Sequence, residues 1–278
     1  MRVSFVDVAG TSTRVLEAGE GDPLILIHGF GLTADSWIRN LDVLGRHFAV
    51  YAPDCLGQGF TGSGSLRTPV HRALVDHLWA VADGVRGGAP VRIVGSSFGA
   101  QLAALMALER PGEVAGLGLV GSGSLVSTED ELAAALAKTK AATRADFADL
   151  TVDVMQARLA RFCHRPEALP ASMVLLQATS LAMASVRDDY LTIVDGMADL
   201  AASRPYRVDG RLGQLDMPAI VLWGRHDPAG DPSRAVVLNR QLPRGRLVVF
   251  EDSGHLPYVE EAERFNAILA DFLASVPG

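Results

Sequence analysis

A chain of 278 residues with 49% hydrophobic content is long enough to bury one large α/β core, alone or with an insertion. A formal charge of −7 leaves no basic stripe for a phosphate backbone, so nucleic acid is not the expected partner. No stretch reaches the roughly 18 consecutive apolar residues of a membrane span, the opening MRVSFVDVAGTSTRVLEAG has no apolar signal core, and Cys55 and Cys163 form no metal-ligand spacing; a reduced cytoplasmic protein with no membrane contact is expected.

Two strands open the chain, Val3 to Val8 and Thr13 to Ala18, joined by the turn signal Ala9-Gly10-Thr11 as an antiparallel hairpin. Leu24 to Ile27 is a short, continuously apolar run of the kind buried on both faces of a parallel sheet, and it ends in His28-Gly29-Phe30-Gly31, a glycine-rich turn able to offer N–H groups to an anion. Ser36 to Leu44 reads as a helix, Phe48 to Ala52 as a strand, and Val70 to Val85 as an amphipathic helix. Val91, Ile93 and Val94 then form a strand that runs through Gly95-Ser96-Ser97-Phe98-Gly99 into a helix from Gln101 to Leu108. After the strand Val114 to Val120 the texture changes. From 127 to 204 there is no strand-like run, only helical spacing, with Thr128 and Glu131 set as a capping box and breaks before Pro166 and Pro170. Strands return at Ala219 to Trp223 and Arg246 to Phe250, and Glu260 to Leu273 is the closing helix. Strands alternating with helices imply a mostly parallel sheet, with residues 1–126 and 205–278 as an α/β core and 127–204 as a helical insertion.

The G-x-S-x-G pattern around Ser97 places a hydroxyl at the apex of a turn so sharp that its neighbours two positions away lack a Cβ. Two later strands end in Gly224-Arg225-His226-Asp227-Pro228 and Asp252-Ser253-Gly254-His255. Loops at the carboxyl ends of parallel strands share one crevice, so Ser97, Asp227 and His255 are expected to meet there. The three types belong together chemically: a base removes the serine proton, an imidazole titrates near neutrality, and a carboxylate fixes its tautomer. His226 is the alternative base and Asp252 the reserve acid. His28 is expected to tie down the Gly29 turn and Asp54 to hold its own turn, while His47, His71, His77 and His164 read as surface or satisfied histidines.

GSSFG, LWGRHDP and DSGHLPYVEEAERF, with HGFG early and the DCLGQG loop, resemble the α/β-hydrolase fold superfamily. The resemblance covers all but the insertion, which sits where that family carries its cap. It implies Ser97 as nucleophile, Asp227 as acid, His255 as base, and the N–H groups of Phe30 and Phe98 as the oxyanion hole. Haloalkane dehalogenases and epoxide hydrolases carry Asp at the elbow, where this chain has Ser. Within the superfamily the cap segment TVDVMQARLARFCHRPEALPASM most resembles the meta-cleavage product hydrolases, which cleave a C–C bond in vinylogous 1,5-diketone acids from aromatic ring degradation. That likeness implies Arg158 as the grip on the substrate carboxylate, with Gly29, Ser96 and Leu256 also at the substrate. The family commonly has Asn and Trp at the positions of Ser96 and Leu256. The expected activity is cofactor-free and metal-free hydrolysis of a small molecule, with a carboxylesterase as the alternative and a cofactor-independent oxygenase, a lyase or a non-catalytic receptor as further readings. Homo-oligomerisation is left open.

Overall fold

Short apolar runs alternating with amphipathic segments build one eight-stranded sheet. The computed structural model describes residues 1–64 and 66–277. β1 (Arg2–Val8) and β2 (Thr11–Ala18) pair antiparallel, with Val8 opposite Thr11 and Ala9 and Gly10 turning at φ 51° and 81°. Positive φ at both turn residues gives the hairpin the twist its strands need. β3 (Pro23–Ile27), β4 (Ala49–Pro53), β5 (Val91–Ser96), β6 (Val114–Val120), β7 (Ala219–Gly224) and β8 (Gly245–Phe250) complete the order β1-β2-β4-β3-β5-β6-β7-β8. β2 and β4 are antiparallel, and every pair from β4 to β8 is parallel.

β3, β5 and β7 are buried along their whole length, which is why their sequences are apolar without alternation. Successive side chains still enter different cores: Ile25, Ile93 and Val221 pack on one face, Leu24, Val94 and Ile220 on the other.

The helices are α1 (Leu41–Leu44), α2 (Val70–Val85), α3 (Phe98–Glu109), α4 (Glu129–Ala148), α5 (Val152–Ala160), α6 (Ala171–Ala182), α7 (Ala184–Ala198), α8 (Leu200–Ser203), α9 (Ser233–Gln241), α10 (Pro257–Glu260) and α11 (Ala262–Ala274). Between β6 and β7 there is no strand among the described residues. Thr128 and Glu131 do cap α4 reciprocally, at 3.3 and 2.9 Å, and Pro170 directly precedes α6.

Two expected helices differ. Ser36 to Leu44 is split into a 3₁₀ turn (Ala34–Trp37) and α1, because the side chains there are claimed by distant parts of the fold. Trp37 stacks on Tyr258 at 4.2 Å, and Asn40 Nδ2 donates to Tyr258 O and Asn266 Oδ1 at 3.0 and 2.7 Å. The closing helix begins at Ala262 rather than Glu260. Glu261 breaks from α10 at φ −121°, and its carboxylate accepts from Asp252 N and Ser253 Oγ. No helix of the described residues is long and apolar enough to cross a membrane.

Candidate active site

β5 passes into α3 through Ser97, whose φ of 55° and ψ of −119° lie where residues with a Cβ rarely go. Such a conformation costs on the order of 1–3 kcal/mol and persists only because its surroundings enforce it. They do so here through glycine. A Cβ on Gly95 would overlap the Gly99 carbonyl, and one on Gly99 would lie 2.5 Å from the carbonyl oxygens of Ile27 and His28. The Ser97 N–H is fixed by Val120 O at 2.7 Å.

The turn after β3 lies against this elbow. A Cβ on Gly29 would stand 3.3 Å from that of Ser97, and the Phe30 and Phe98 rings meet edge to face at 6.3 Å. Phe98 opens α3, so its N–H has no intrahelical acceptor. His28 holds the turn as expected: the Cys55 N–H donates to its Nε2 at 2.9 Å, which leaves Nδ1 to donate to Gly29 O at 2.8 Å. Burial lowers its pKa, so this ring is a neutral structural piece. Asp54 likewise holds its loop, accepting from Ala34 N, Phe60 N and the buried Arg14 guanidinium.

From the other half of the sheet come Asp227, after β7, and His255, after β8. His255 Nδ1 lies 2.9 and 2.8 Å from the two Asp227 oxygens, and the aspartate side chain is wholly buried. Burial opposes the charged imidazolium, but the Asp227 charge and hydrogen bond, helped by Glu260, prevail and hold the His255 pKa above the ordinary histidine value. The alternatives lie elsewhere. Asp252 is exposed, and so is His226, whose ring stacks on His164 at 3.8 Å.

Ser97, His255, Gly29, Phe30, Ser96, Phe98, Leu256 and Arg158 all line one cavity of about 310 Å³. Arg158 stands on α5, buried beside Met155 and Leu159. Its Nη2 donates to the Tyr190 hydroxyl, and Nη1, 3.7 Å from Asp146, has no hydrogen-bond partner. Tyr190 in turn packs on Phe30 at 4.3 Å, which joins the arginine to the Gly29 turn.

Several cavity or supporting residues were not foreseen. His71 is neither a surface nor a satisfied histidine: it lines the cavity, stacks on Tyr206 at 5.4 Å, and its buried Nδ1 has no partner. Arg207 and Arg234 line it too. Glu260, outside it, accepts four backbone N–H groups: Gly254 and Leu256 beside His255, and His164 and Arg165 after α5, at 2.7 to 3.3 Å. An ordinary amphipathic face hides such residues, since the same spacing serves core and cavity alike. No group of three or more His, Cys, Asp or Glu side chains arranged for a metal occurs among the described residues.

Residues 22–262 match the alpha/beta hydrolase fold family. Over 125 residues the chain is 37% identical to 2-hydroxy-6-oxo-6-(2'-aminophenyl)hexa-2,4-dienoic acid hydrolase of Metapseudomonas resinovorans, a match spanning 44% of this chain and only 43% of that protein. It is 28% identical to a 2-hydroxy-6-oxononadienedioate/2-hydroxy-6-oxononatrienedioate hydrolase of Dechloromonas aromatica, covering 92% of this chain and 89% of the relative. A pimeloyl-[acyl-carrier protein] methyl ester esterase of Neisseria meningitidis is also 28% identical, over 89% and 91%. Among solved structures, 2-hydroxy-6-oxo-6-phenylhexa-2,4-dienoate hydrolase from Rhodococcus sp. strain RHA1 superposes with a TM-score of 0.80 at 22% identity, covering 99% of this chain and 100% of that one, a likeness of fold.

Proposed function

Because the chain belongs to the alpha/beta hydrolase fold family, we propose that Ser97, His255 and Asp227 are its catalytic triad and that it hydrolyses a C–C bond in a meta-cleavage product, a vinylogous 1,5-diketone acid. Asp227 holds the His255 proton on Nδ1, which frees Nε2 to take the Ser97 proton as the hydroxyl attacks the ketone. The Phe30 and Phe98 N–H groups receive the oxyanion. His255 returns the proton to the departing carbon, and water, activated by the same imidazole, then hydrolyses the acyl-serine to an acid. The reaction needs no cofactor or metal. Residues 127–204 act as a cap over a small-molecule site, with Gly29, Ser96 and Leu256 at the substrate, in a cytoplasmic enzyme.

One observation carries the C–C reading: Arg158, a buried guanidinium whose Nη1 makes no hydrogen bond and lies 3.7 Å from Asp146, lines the cavity that holds Ser97 and His255. It would take the dienoate carboxylate through paired charge-assisted bonds. A second reading, hydrolysis of a small ester, is favoured by the esterase relative, whose identity equals that of the dioate hydrolase. A panel of ring-cleavage dienol acids and p-nitrophenyl esters separates the two. Arg158→Ala should cost roughly 2–4 kcal/mol in kcat/KM on a dienol acid and less than about tenfold on an uncharged ester. Equal losses on both would make Arg158 a support for the cap, and no loss on either would put the ester reading first.

A further inference from the structure

Besides His255, the cavity is lined by a histidine that the mechanism above does not use. His71 is the second residue of α2, 3% exposed, and its ring is held by two others: it stacks on Tyr206 at 5.4 Å with 7° between the planes, and meets Phe98 edge to face at 5.5 Å. Tyr206 is itself fixed, since Gln101 Nε2 donates to its carbonyl at 3.3 Å. Gln101 lies one turn along α3 from Ser97, so the His71 ring is positioned against the same helix that the nucleophile opens.

Burial lowers the pKa of this ring to about 4, and the first turn of α2, the positive end of its dipole, also disfavours a cation. Near neutrality the ring is therefore uncharged, with one nitrogen as donor and the other as acceptor. Nδ1 is buried and has no hydrogen-bond partner. A proton there would be a buried donor with no acceptor, and a bare lone pair is the lesser loss, so the proton belongs on Nε2. Nε2 makes no hydrogen bond among the described residues and is not shut off as Nδ1 is, which leaves its N–H for whatever fills the cavity.

Ring contacts lead from Arg158 to His71. Arg158 donates to Tyr190, Tyr190 packs on Phe30 at 4.3 Å, Phe30 meets Phe98 at 6.3 Å, and Phe98 meets His71. The arginine and the histidine are thus separate polar points in one cavity. If Arg158 holds the dienoate carboxylate, the enol oxygen sits on the neighbouring carbon, and the ketone oxygen goes to the Phe30 and Phe98 N–H groups. The substituent beyond the ketone is the part left for His71. An uncharged ring offers an ionised group no counter-charge, and an alkyl group leaves its N–H unpaired, so the group that fits is an uncharged oxygen acceptor.

We propose that His71 is a specificity-determining residue whose Nε2–H selects substrates carrying an ether or carbonyl oxygen in the substituent beyond the ketone. This rests on the C–C reading above, which commits the other oxygens of the substrate elsewhere.

The test compares two dienol acids that differ only in that substituent, 2-methoxyethyl in one and butyl in the other. Beside them run the p-nitrophenyl esters of the matching acids, 3-methoxypropanoate and pentanoate. An apolar wall favours the methylene over the ether oxygen, because burying the methylene removes more apolar surface from water. The wild-type enzyme should instead favour the methoxy member of each pair by about threefold or more in kcat/KM. His71→Phe keeps a flat ring against Tyr206 and Phe98 but has no donor, and should lower the ratio by about tenfold, to below one. His71→Gln carries an amide N–H about as far as Nε2 and should keep the ratio above one. Each ratio is taken within one preparation, so partial misfolding cancels. A wild-type ratio at or below one in a pair that is cleaved, or an unchanged ratio in His71→Phe, overturns the donor. If dienol acids are not cleaved but the esters show the preference and lose it in His71→Phe, the donor stands and the C–C reading falls. If dienol acids are cleaved without preference, the reverse holds.

Discussion

Both carboxylate oxygens of Asp227 lie within hydrogen-bond distance of His255 Nδ1, and one also accepts from Ala229 N at 2.7 Å. The Asp227 carboxylate is thus held by its own turn as well as by the imidazole. Asp227→Asn should lower kcat by a factor on the order of 10³–10⁴ through the wrong tautomer, while Asp252→Asn, at an exposed position, should stay within about threefold. Damage in the opposite order would move the acid to Asp252. The same pair sets the pH response. A base must be neutral to work, and His255 holds its proton to higher pH than an ordinary histidine, so the acid limb of kcat/KM should fall above about 6.5 in a pH–rate profile. A limb below that value would show the pair is not intact in the free enzyme. Ser97, Asp227 and His255 were legible because each follows a strand of the sheet at a glycine-marked turn. Arg207 and Arg234 follow no such mark, and their place at the cavity comes with convergence on Ser127, 80 and 107 positions away in the chain.

Helix α2 carries two buried histidines whose pKa values burial lowers to about 4, His71 against the cavity and His77 against Thr13 Oγ1 at 2.8 Å. An unfolded histidine binds its proton near pH 6.5, so as pH falls from there toward 4 the unfolded chain takes up protons that the folded chain refuses. Folding stability therefore drops with acid over that window, by on the order of 3 kcal/mol for each ring. Urea unfolding at pH 6.5, 5.5 and 4.5 should show the loss, with a shallower slope for His77→Gln. Parallel slopes for the two proteins would mean His77 titrates normally in the fold. The bounds of α2 were readable because its apolar stripe is unbroken over 16 residues. The segment from Ser36 to Leu44 has helical spacing too, but contacts with α10 and α11, more than two hundred residues on, outweigh local preference there.

Across the molecule, sheet and insertion were legible to different degrees. Buried parallel strands are written as continuous apolar runs, and each strand begins and ends within two residues of its expected bounds. The insertion showed its helices, but not which of their faces border the cavity, because packing between helices and packing against a substrate ask for the same spacing. The two parts also share Glu260, which holds backbone on both sides at once, beside His255 and after α5. A single carboxylate should therefore make the amides of His164, Arg165, Gly254 and Leu256 exchange with deuterium as one protected group. Glu260→Ala removes both acceptor oxygens, one of which serves each pair, and all four should lose protection together. Faster exchange at His164 and Arg165 alone would show that the segment after α5 opens without disturbing the histidine loop. Correlated release would mean that access to the cavity and the posture of its base are one equilibrium, so that each opening of the insertion briefly disarms the imidazole.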